Sequence, residues 1–255
     1  MLRGSVLHAQ GRAAEGKADE EAAAKLDPSN AEIPYLVGRR KLRDGDAAGA
    51  AESIQKAIVA DGRRLDFHVD LVKALLSKQG GAKEAIEVLK RAVTRLGEGP
   101  RLSLLLGDAY LAAGDRDVAK GHYEKAIALG KPFPDARVAL ARMYRGQSNV
   151  PLALVELNQA IDEYGQGGTG GAARAFVEMA ETERARGARR ELVADLYVKA
   201  LQRDPASCEA LWGAVRVERE GGNLGADGRQ RLQAYSRLCP RARNADEARR
   251  LLGER

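Results

Sequence analysis

The side chains that most often carry catalysis or bind metals are few in this sequence and lie far apart. It contains three histidines, His8, His68 and His122, and two cysteines, Cys208 and Cys239. Their spacing matches no zinc site, and no arrangement of Ser, His and Asp indicates a nucleophilic triad. The histidines fall at unrelated phases of the helical pattern described below, so we interpret each as a surface or helix-flank residue. The sequence therefore predicts no catalytic residues, no metal and no cofactor.

A glycine-rich stretch, DEYGQGGTGG at residues 162–171, invites comparison with a phosphate-binding loop. Such a loop presents backbone amides to the anion and is followed by Lys and then Ser or Thr at the start of a helix. No such pair follows here. The stretch therefore predicts a flexible link over residues 165–171.

Composition narrows the function classes further. The chain has 255 residues, with 44% hydrophobic but only 4% aromatic residues, which favours helices packed through Ala, Leu, Val and Ile. The net charge of +6 favours acidic partners, but the basic residues are scattered and form no stripe interleaved with aromatics, which argues against nucleic acid. No apolar run approaches the roughly 20 residues of a membrane span, and the N-terminus lacks a signal-like apolar core.

Residues 100–131 contain a complete two-helix unit that serves as the reference for the rest of the chain. A glycine and an aspartate, Gly114 and Asp115, separate the two helices. The apolar faces of the two helices comprise Leu102, Leu106, Ala109 and Tyr110, followed by Ala119, Tyr123, Ala126, Ile127 and Leu129. The small residues among these allow the helices to approach closely.

The alanines of this unit recur with a regular period. The series Ala50, Ala85, Ala119 and Ala153 has intervals of 35, 34 and 34 residues, and a parallel series contains Ala57, Ala92, Ala126 and Ala160. Chance could imitate one interval but not two parallel series. A period of 34 residues with this pattern resembles the tetratricopeptide repeat.

The residues that match the repeat signature are Leu106, Gly107, Tyr110, Ala119, Tyr123 and Ala126. Ser103 stands where the family usually has tryptophan, and the linking proline arrives slightly late as Pro132. The resemblance implies an all-α fold: a right-handed superhelix (solenoid) of antiparallel helix-turn-helix repeats.

We expect one solenoid over residues 1–255. Its predicted parts are a partial repeat at 1–30, full repeats at about 31–64, 65–99, 100–133, 134–165, 173–206 and 207–241, and a capping helix at 244–252. Because Met1 falls in the middle of a unit, the pattern also predicts that the chain was cut or trimmed from a longer protein.

In the family, the first helices of the repeats line a groove that accepts a peptide. The groove-facing phases correspond here to Tyr35, Arg39, Phe67, Asp70, Arg101, Leu104, Arg142, Arg145, Arg174, Val177, Trp212, Arg216 and Arg219. Arginine recurs among them beside a few aromatics, which suits an acidic partner with apolar anchors. Trp212 is the only tryptophan, and in this register it points away from the core.

The repeat topology also predicts that the two cysteines lie close enough to form a disulfide. Cys208 begins a first helix and Cys239 ends the second helix of the same unit, so both lie at the same end of one hairpin. A bridge would close a loop of about 30 residues and contribute about 3–4 kcal/mol in the chain-entropy model. We expect two reduced thiols in a cytoplasmic protein; the alternative is a disulfide, which would indicate an oxidising compartment such as a periplasm.

The function that this sequence favours is a non-enzymatic scaffold or adaptor that binds a partner protein or peptide rather than a small-molecule substrate. The Ala, Gly and Arg bias indicates a bacterium with a GC-rich genome, where such arrays serve envelope, secretion, motility or signalling assemblies. Two alternatives remain: an accessory domain of a larger enzyme such as a kinase, and a nucleic-acid binder. The sequence determines neither the partner nor the oligomeric state.

Overall fold

The computed structural model describes residues 2–165, 170–222 and 224–253, and within these ranges all regular secondary structure is α-helical. The helices are α1 Leu2–Ala9, α2 Ala13–Leu26, α3 Glu32–Arg43, α4 Ala47–Ala60, α5 Leu65–Ser77, α6 Ala82–Leu96, α7 Pro100–Ala113, α8 Arg116–Leu129, α9 Pro134–Gly146, α10 Val150–Tyr164, α11 Gly170–Ala185, α12 Arg190–Arg203, α13 Cys208–Glu220, α14 Ala226–Leu238 and α15 Ala245–Leu252. None of these described helices combines the length and the apolar character needed to cross a bilayer.

The helices pack in successive antiparallel pairs. We call α3, α5, α7, α9, α11 and α13 the first helices. Their partners α4, α6, α8, α10, α12 and α14 are the second helices. The sixth pair begins at Gly170, three residues before the predicted start of its repeat at 173. Residues 166–169 of the predicted link lie outside the described part of the chain.

The chain divides into two compact units, Met1–Ala126 and Ile127–Arg255. The core of the first unit is built mainly from α3 to α7, around fully buried residues such as Phe67 and Leu89. In the second unit a cluster around Val215 and Leu232 joins α13 to α14, and Ala248 of α15 completes it. The short helix α15 therefore covers the apolar side of the last hairpin.

The reference hairpin of α7 and α8 depends on a close approach at Gly107. A Cβ atom at this position would lie 2.4 Å from the ring of Tyr123, which is 1% exposed. The Tyr123 hydroxyl donates a hydrogen bond to Asp108 at 2.9 Å, so the ring is held in place. Leu129, which the sequence placed on the packed face, is 47% exposed because it is the last residue of α8.

We therefore expect Gly107→Ala to lower the free energy of unfolding by about 1–3 kcal/mol, because the buried ring must shift to admit the methyl group. Gly121→Ala is the matched control: Gly121 lies inside α8 as Gly107 lies inside α7, but nothing stands within 4 Å of its added Cβ. That change should raise stability by about 0.5–1 kcal/mol through helix propensity. Urea denaturation followed by circular dichroism measures both, and equal effects of the two substitutions would contradict the packing argument.

Candidate protein-interaction site

The apolar residues expected to line the groove are mostly buried within the protein. Tyr35 is 5% exposed, Phe67 0%, Leu104 6% and Val177 7%. The expectation of a free apolar surface at these four positions is therefore corrected. The physical reason is that first helices of consecutive repeats touch one another, so a residue aimed sideways from one helix packs against the next.

In the first unit this contact joins α3 and α5. The rings of Tyr35 and Phe67 lie 4.3 Å apart, and the Tyr35 hydroxyl donates to Asp70 at 2.9 Å. Burial, followed by the nearby Asp70 carboxylate, raises the pKa of Tyr35. Arg39 lies over the Tyr35 ring at 5.6 Å and places its Nε 3.5 Å from Asp70. These predicted site residues thus come together, but they contact one another.

In the second unit the same kind of contact is ionic. Arg142 and Arg145 of α9 both reach Glu178 of α11, at 2.6 and 2.9 Å. Arg216 of α13 reaches Glu181 of α11 at 2.6 Å. The acidic partners lie one repeat away from their arginines, at separations of 35 and 36 residues for Arg216 and Arg142.

Two further ion pairs continue this arrangement. Arg184 of α11 pairs with Glu220 of α13 at 2.7 Å, and Arg219 pairs with Glu247 of α15 at 2.8 Å. Most of the arginines that the sequence assigned to an acidic partner are therefore compensated within the chain. Of the remaining two predicted arginines, Arg101 is partly buried and Arg174 is exposed.

The degree of burial distinguishes these pairs energetically. We expect Glu178→Gln to lower the free energy of unfolding by about 1–2 kcal/mol, because the Glu178 side chain is 12% exposed and its loss leaves two arginines without their carboxylate. Glu220→Gln removes an ion pair with Arg184 whose side chains are 40% and 45% exposed. This variant should change the free energy of unfolding by less than about 0.5 kcal/mol. Chemical denaturation of the two variants measures the difference, and a larger effect at Glu220 would refute this ranking.

A pocket of about 330 Å³ lies beside Trp212 in the second unit. We call it the Trp212 pocket. The indole is partly buried and packs at 5.2 Å from the ring of Tyr235, so it does not point freely away from the core as expected. The pocket is lined by Glu181, Cys208, Glu209, Trp212, Gly213, Arg216, Tyr235, Ala242, Arg243 and Asn244. It therefore combines an aromatic wall with charged groups of both signs.

The back of the pocket is held by a fixed polar network. The Tyr197 hydroxyl donates to Glu181 at 2.5 Å, and Arg216 donates to Glu181 at 2.6 Å and to the Tyr197 oxygen at 3.1 Å. Burial acts to raise the pKa of Glu181, but the hydrogen bond from Tyr197 and the charge of Arg216 outweigh it, and the pKa lies below its usual value. The Nε of Arg216 is buried and has no acceptor among the described residues.

The rim of the pocket carries two charged side chains that are exposed, Glu209 and Arg243. Within the described residues neither makes an ion pair or a side-chain hydrogen bond. A cation and an anion beside an indole can hold a polar peptide segment while the ring contacts an apolar side chain. Arg243 was missed by the sequence analysis because it lies in the loop after α14, outside the helical period.

The two cysteines are joined in a disulfide across the last hairpin, so the expectation of two reduced thiols is corrected. The Cα atoms of Cys208 and Cys239 are 5.9 Å apart, and the bridge links the start of α13 to the end of α14. Cys208 lines the Trp212 pocket, and Cys239 is 3% exposed. The bridge thus fixes the two helices whose Trp212 and Tyr235 form the aromatic wall.

The histidines were interpreted as surface or helix-flank residues, but His68 and His8 are largely buried. His68 is 4% exposed, with Nε2 3.1 Å from the carbonyl oxygen of Gly62, and His8 has a side chain that is 12% exposed. His122 stacks on Tyr110 at 5.2 Å, and burial lowers its pKa. No group of three potential metal ligands converges in the part of the chain that the structure describes.

The helices are paired, and the pairs repeat along the chain with a constant spacing between their packing residues. This arrangement defines an all-α helical-repeat protein of the solenoid class. The model of one family, the tetratricopeptide repeat, matches residues 35–100 and 104–168, about half of the chain. The chain belongs to the tetratricopeptide repeat family. This fold is generally non-catalytic, and proteins of the family bind protein partners.

Solved structures of repeat proteins resemble this chain over most of its length. The Cut9–Hcn1 assembly of the APC/C gives a TM-score of 0.62 at 15% identity over 97% of this chain, which spans only 47% of the matched chain. A thermophilic repeat protein of Thermus thermophilus gives 0.54 at 25% identity over 71% of this chain and 95% of its own. PilF of Pseudomonas aeruginosa gives 0.53 at 21% identity over 86% and 95%. No curated protein sequence matches.

Proposed function

We propose that this protein is a non-catalytic scaffold or adaptor that holds a peptide or domain of a partner protein through its first helices, with the Trp212 pocket as an anchor point. The observation that carries the proposal is the composition of this pocket. It joins the only tryptophan of the sequence to two exposed charges, Glu209 and Arg243, on a hairpin tied by a disulfide. Most other charges on the first helices are already paired.

The partner chemistry follows from these groups. A pocket of about 330 Å³ accommodates one or two side chains rather than a folded element. An apolar or aromatic side chain would contact Trp212, and a neighbouring carboxylate would pair with Arg243. We therefore propose that an acidic group of the partner binds in this pocket, and not at the arginines of the first helices that are already paired.

A photo-crosslinking amino acid tests this assignment in cells. Placed at Glu209 on the rim, it should give a small set of discrete protein adducts, and Arg243→Glu should reduce their yield by about tenfold because it reverses the charge that holds the carboxylate. Mass spectrometry of the adducts identifies the partner.

The matched control for this experiment is Arg229, which is exposed on α14 of the same unit and does not line the pocket. The crosslinker at Arg229 should not give these adducts, and Arg229→Glu should leave the yield at position 209 unchanged. Identical adducts from both positions would reject the pocket as the binding site.

We further propose that the protein acts in an oxidising compartment, such as a bacterial periplasm, as part of an envelope, secretion or motility assembly. The bridge between Cys208 and Cys239 supports an oxidising compartment, because disulfides persist there and are rare in the cytoplasm. The likeness to PilF supports only the fold, so the proposed envelope, secretion or motility role rests on the compartment and on the Ala, Gly and Arg bias of the sequence.

Alkylation of the protein in intact cells checks the compartment. With the bridge formed, the unreduced protein should carry no alkyl label on Cys208 or Cys239, and reduction before alkylation should add two labels. Mass spectrometry distinguishes the two states by mass. Two labels without reduction would exclude the bridge and with it the argument for an oxidising compartment.

A further inference from the structure

Four successive second helices carry a large, buried apolar or aromatic residue at the same position of the repeat. These residues are Ile54, Leu89, Tyr123 and Leu157, none more than 1% exposed. One period before Ile54, the residue is Glu20 of α2. The first hairpin therefore has a carboxylate where the others have a core side chain.

Glu20 is nevertheless buried, at 8% exposure, and it is held by polar neighbours instead of by apolar packing. Arg40 of α3 donates to both of its carboxylate oxygens, at 2.9 and 3.2 Å, and His8 Nε2 lies 3.2 Å from one of them. A buried carboxylate needs such partners, because an uncompensated one would be costly. The contact fixes α2 to α3 through polar groups and leaves the apolar side of this junction incompletely filled.

The unfilled space is a cleft of about 760 Å³ between α2, α3 and α4, which we call the N-terminal cleft. The residues of α2 that line it are Ala13, Lys17, Glu20, Glu21 and Ala24. Counted from Ala13, the other four follow at four, seven, eight and eleven residues, so all five lie on one face of the helix. At a rise of 1.5 Å per residue this face is about 17 Å long. The cleft is thus a trough that runs parallel to α2 for three turns.

The inner surface of the trough is apolar and built from small or branched residues, including Ala24, Ile33, Val37 and Ala60. Apart from Pro28 and Asn30 of the connecting loop, its walls are helices, whose backbone groups are hydrogen-bonded internally and offer no partners to an extended peptide. A helix would bring its own backbone bonds satisfied and could approach closely over the small residues. The shape and chemistry of the trough therefore favour a helical occupant over an extended one.

The rim of the trough carries three lysines. Lys17 and Lys56 are paired with neighbouring carboxylates at 3.8 and 2.7 Å, and Lys41 is the third. The ammonium of Lys41 has no carboxylate within ion-pair distance in the described chain. It donates only to neutral oxygens, the hydroxyl of Ser53 at 3.2 Å and the carbonyl of Gly49 at 3.3 Å. An acidic side chain on the occupant would complete this site.

We propose that the N-terminal cleft is a second docking site, which binds an amphipathic helix of a partner protein with apolar residues toward Ile33 and Val37 and an acidic residue toward Lys41. The site lies on other helices than the Trp212 pocket and does not depend on the function proposed for that pocket. It gives the scaffold a second, chemically distinct point of attachment.

The test uses the full chain and three fluorescein-labelled synthetic peptides of 15 residues in fluorescence anisotropy titrations. The first has leucines at helical spacing of three and four, flanked by glutamates. The second replaces the glutamates by lysines, and the third breaks the first with a central proline. We expect the glutamate peptide to bind, and both other peptides to bind at least about tenfold more weakly.

Protein variants then locate the binding. Lys41→Glu should weaken the glutamate peptide by at least about tenfold and strengthen the lysine peptide, a reversal that a misfolded variant would not produce. Ala24→Trp should block the trough by volume without changing its charge. The control is Lys83→Glu, because Lys83 is an exposed residue of α6 that does not line the cleft. This variant should leave peptide binding unchanged.

The outcomes divide cleanly. Selective binding of the glutamate peptide with reversal in Lys41→Glu and loss in Ala24→Trp supports the proposal. Absence of binding, equal binding of the glutamate and lysine peptides, or equal effects of Lys41→Glu and Lys83→Glu overturns it. Crosslinking at Glu209 reports on the Trp212 pocket separately, so either site can fail without the other.

Discussion

The interaction on which the rest of the structure depends is the contact of helices through alanine. All eight members of the two alanine series, at positions 50, 85, 119 and 153 and at 57, 92, 126 and 160, are 0% exposed. An alanine contributes little apolar area by itself, but it lets neighbouring backbones approach to a distance at which the larger residues between them interlock. A larger side chain at one of these positions would separate a helix from its neighbours and alter the position of each residue presented on it.

Because packing fixes the helices so tightly, the sideways-facing residues of the first helices meet one another across consecutive repeats. In the first unit they form an aromatic contact between Tyr35 and Phe67, capped by Asp70. In the second unit they form ion pairs, of which the contact of Arg145 with Glu178 is the most buried. Such pairs contribute modestly to stability, but they determine which charges remain for a partner. The basic composition of the chain is therefore a poor guide to the charge that the first helices present.

These facts explain which parts could be predicted from the sequence. The alanine period locates the repeats because close approach requires a small residue at a fixed phase, and that requirement is local. Four groove residues were expected on a free surface because the phase of one helix does not reveal how closely the first helix of the next repeat packs against it. These residues are Tyr35, Phe67, Leu104 and Val177. The pairing of Arg216 with Glu181 depends on a residue 35 positions away. Arg243 follows no helical phase and could be found only from the folded loop.

The positions that depart from the repeat pattern carry the chemistry. A side chain that satisfies the repeat, such as Tyr123, is committed to packing and is not accessible to a partner. Glu20 departs from that pattern: by replacing a core residue it introduces a buried charge, and the guanidinium of Arg40 compensates this charge. Those polar contacts occupy space less completely than Ile54 does one period later, and a cleft results. A single substitution at a packing phase can thus convert structural volume into a binding surface, because the surrounding helices are held in place by their own alanines. In a repeat protein whose neighbouring units stay well packed, the most informative residues for function are those that break the period while remaining buried.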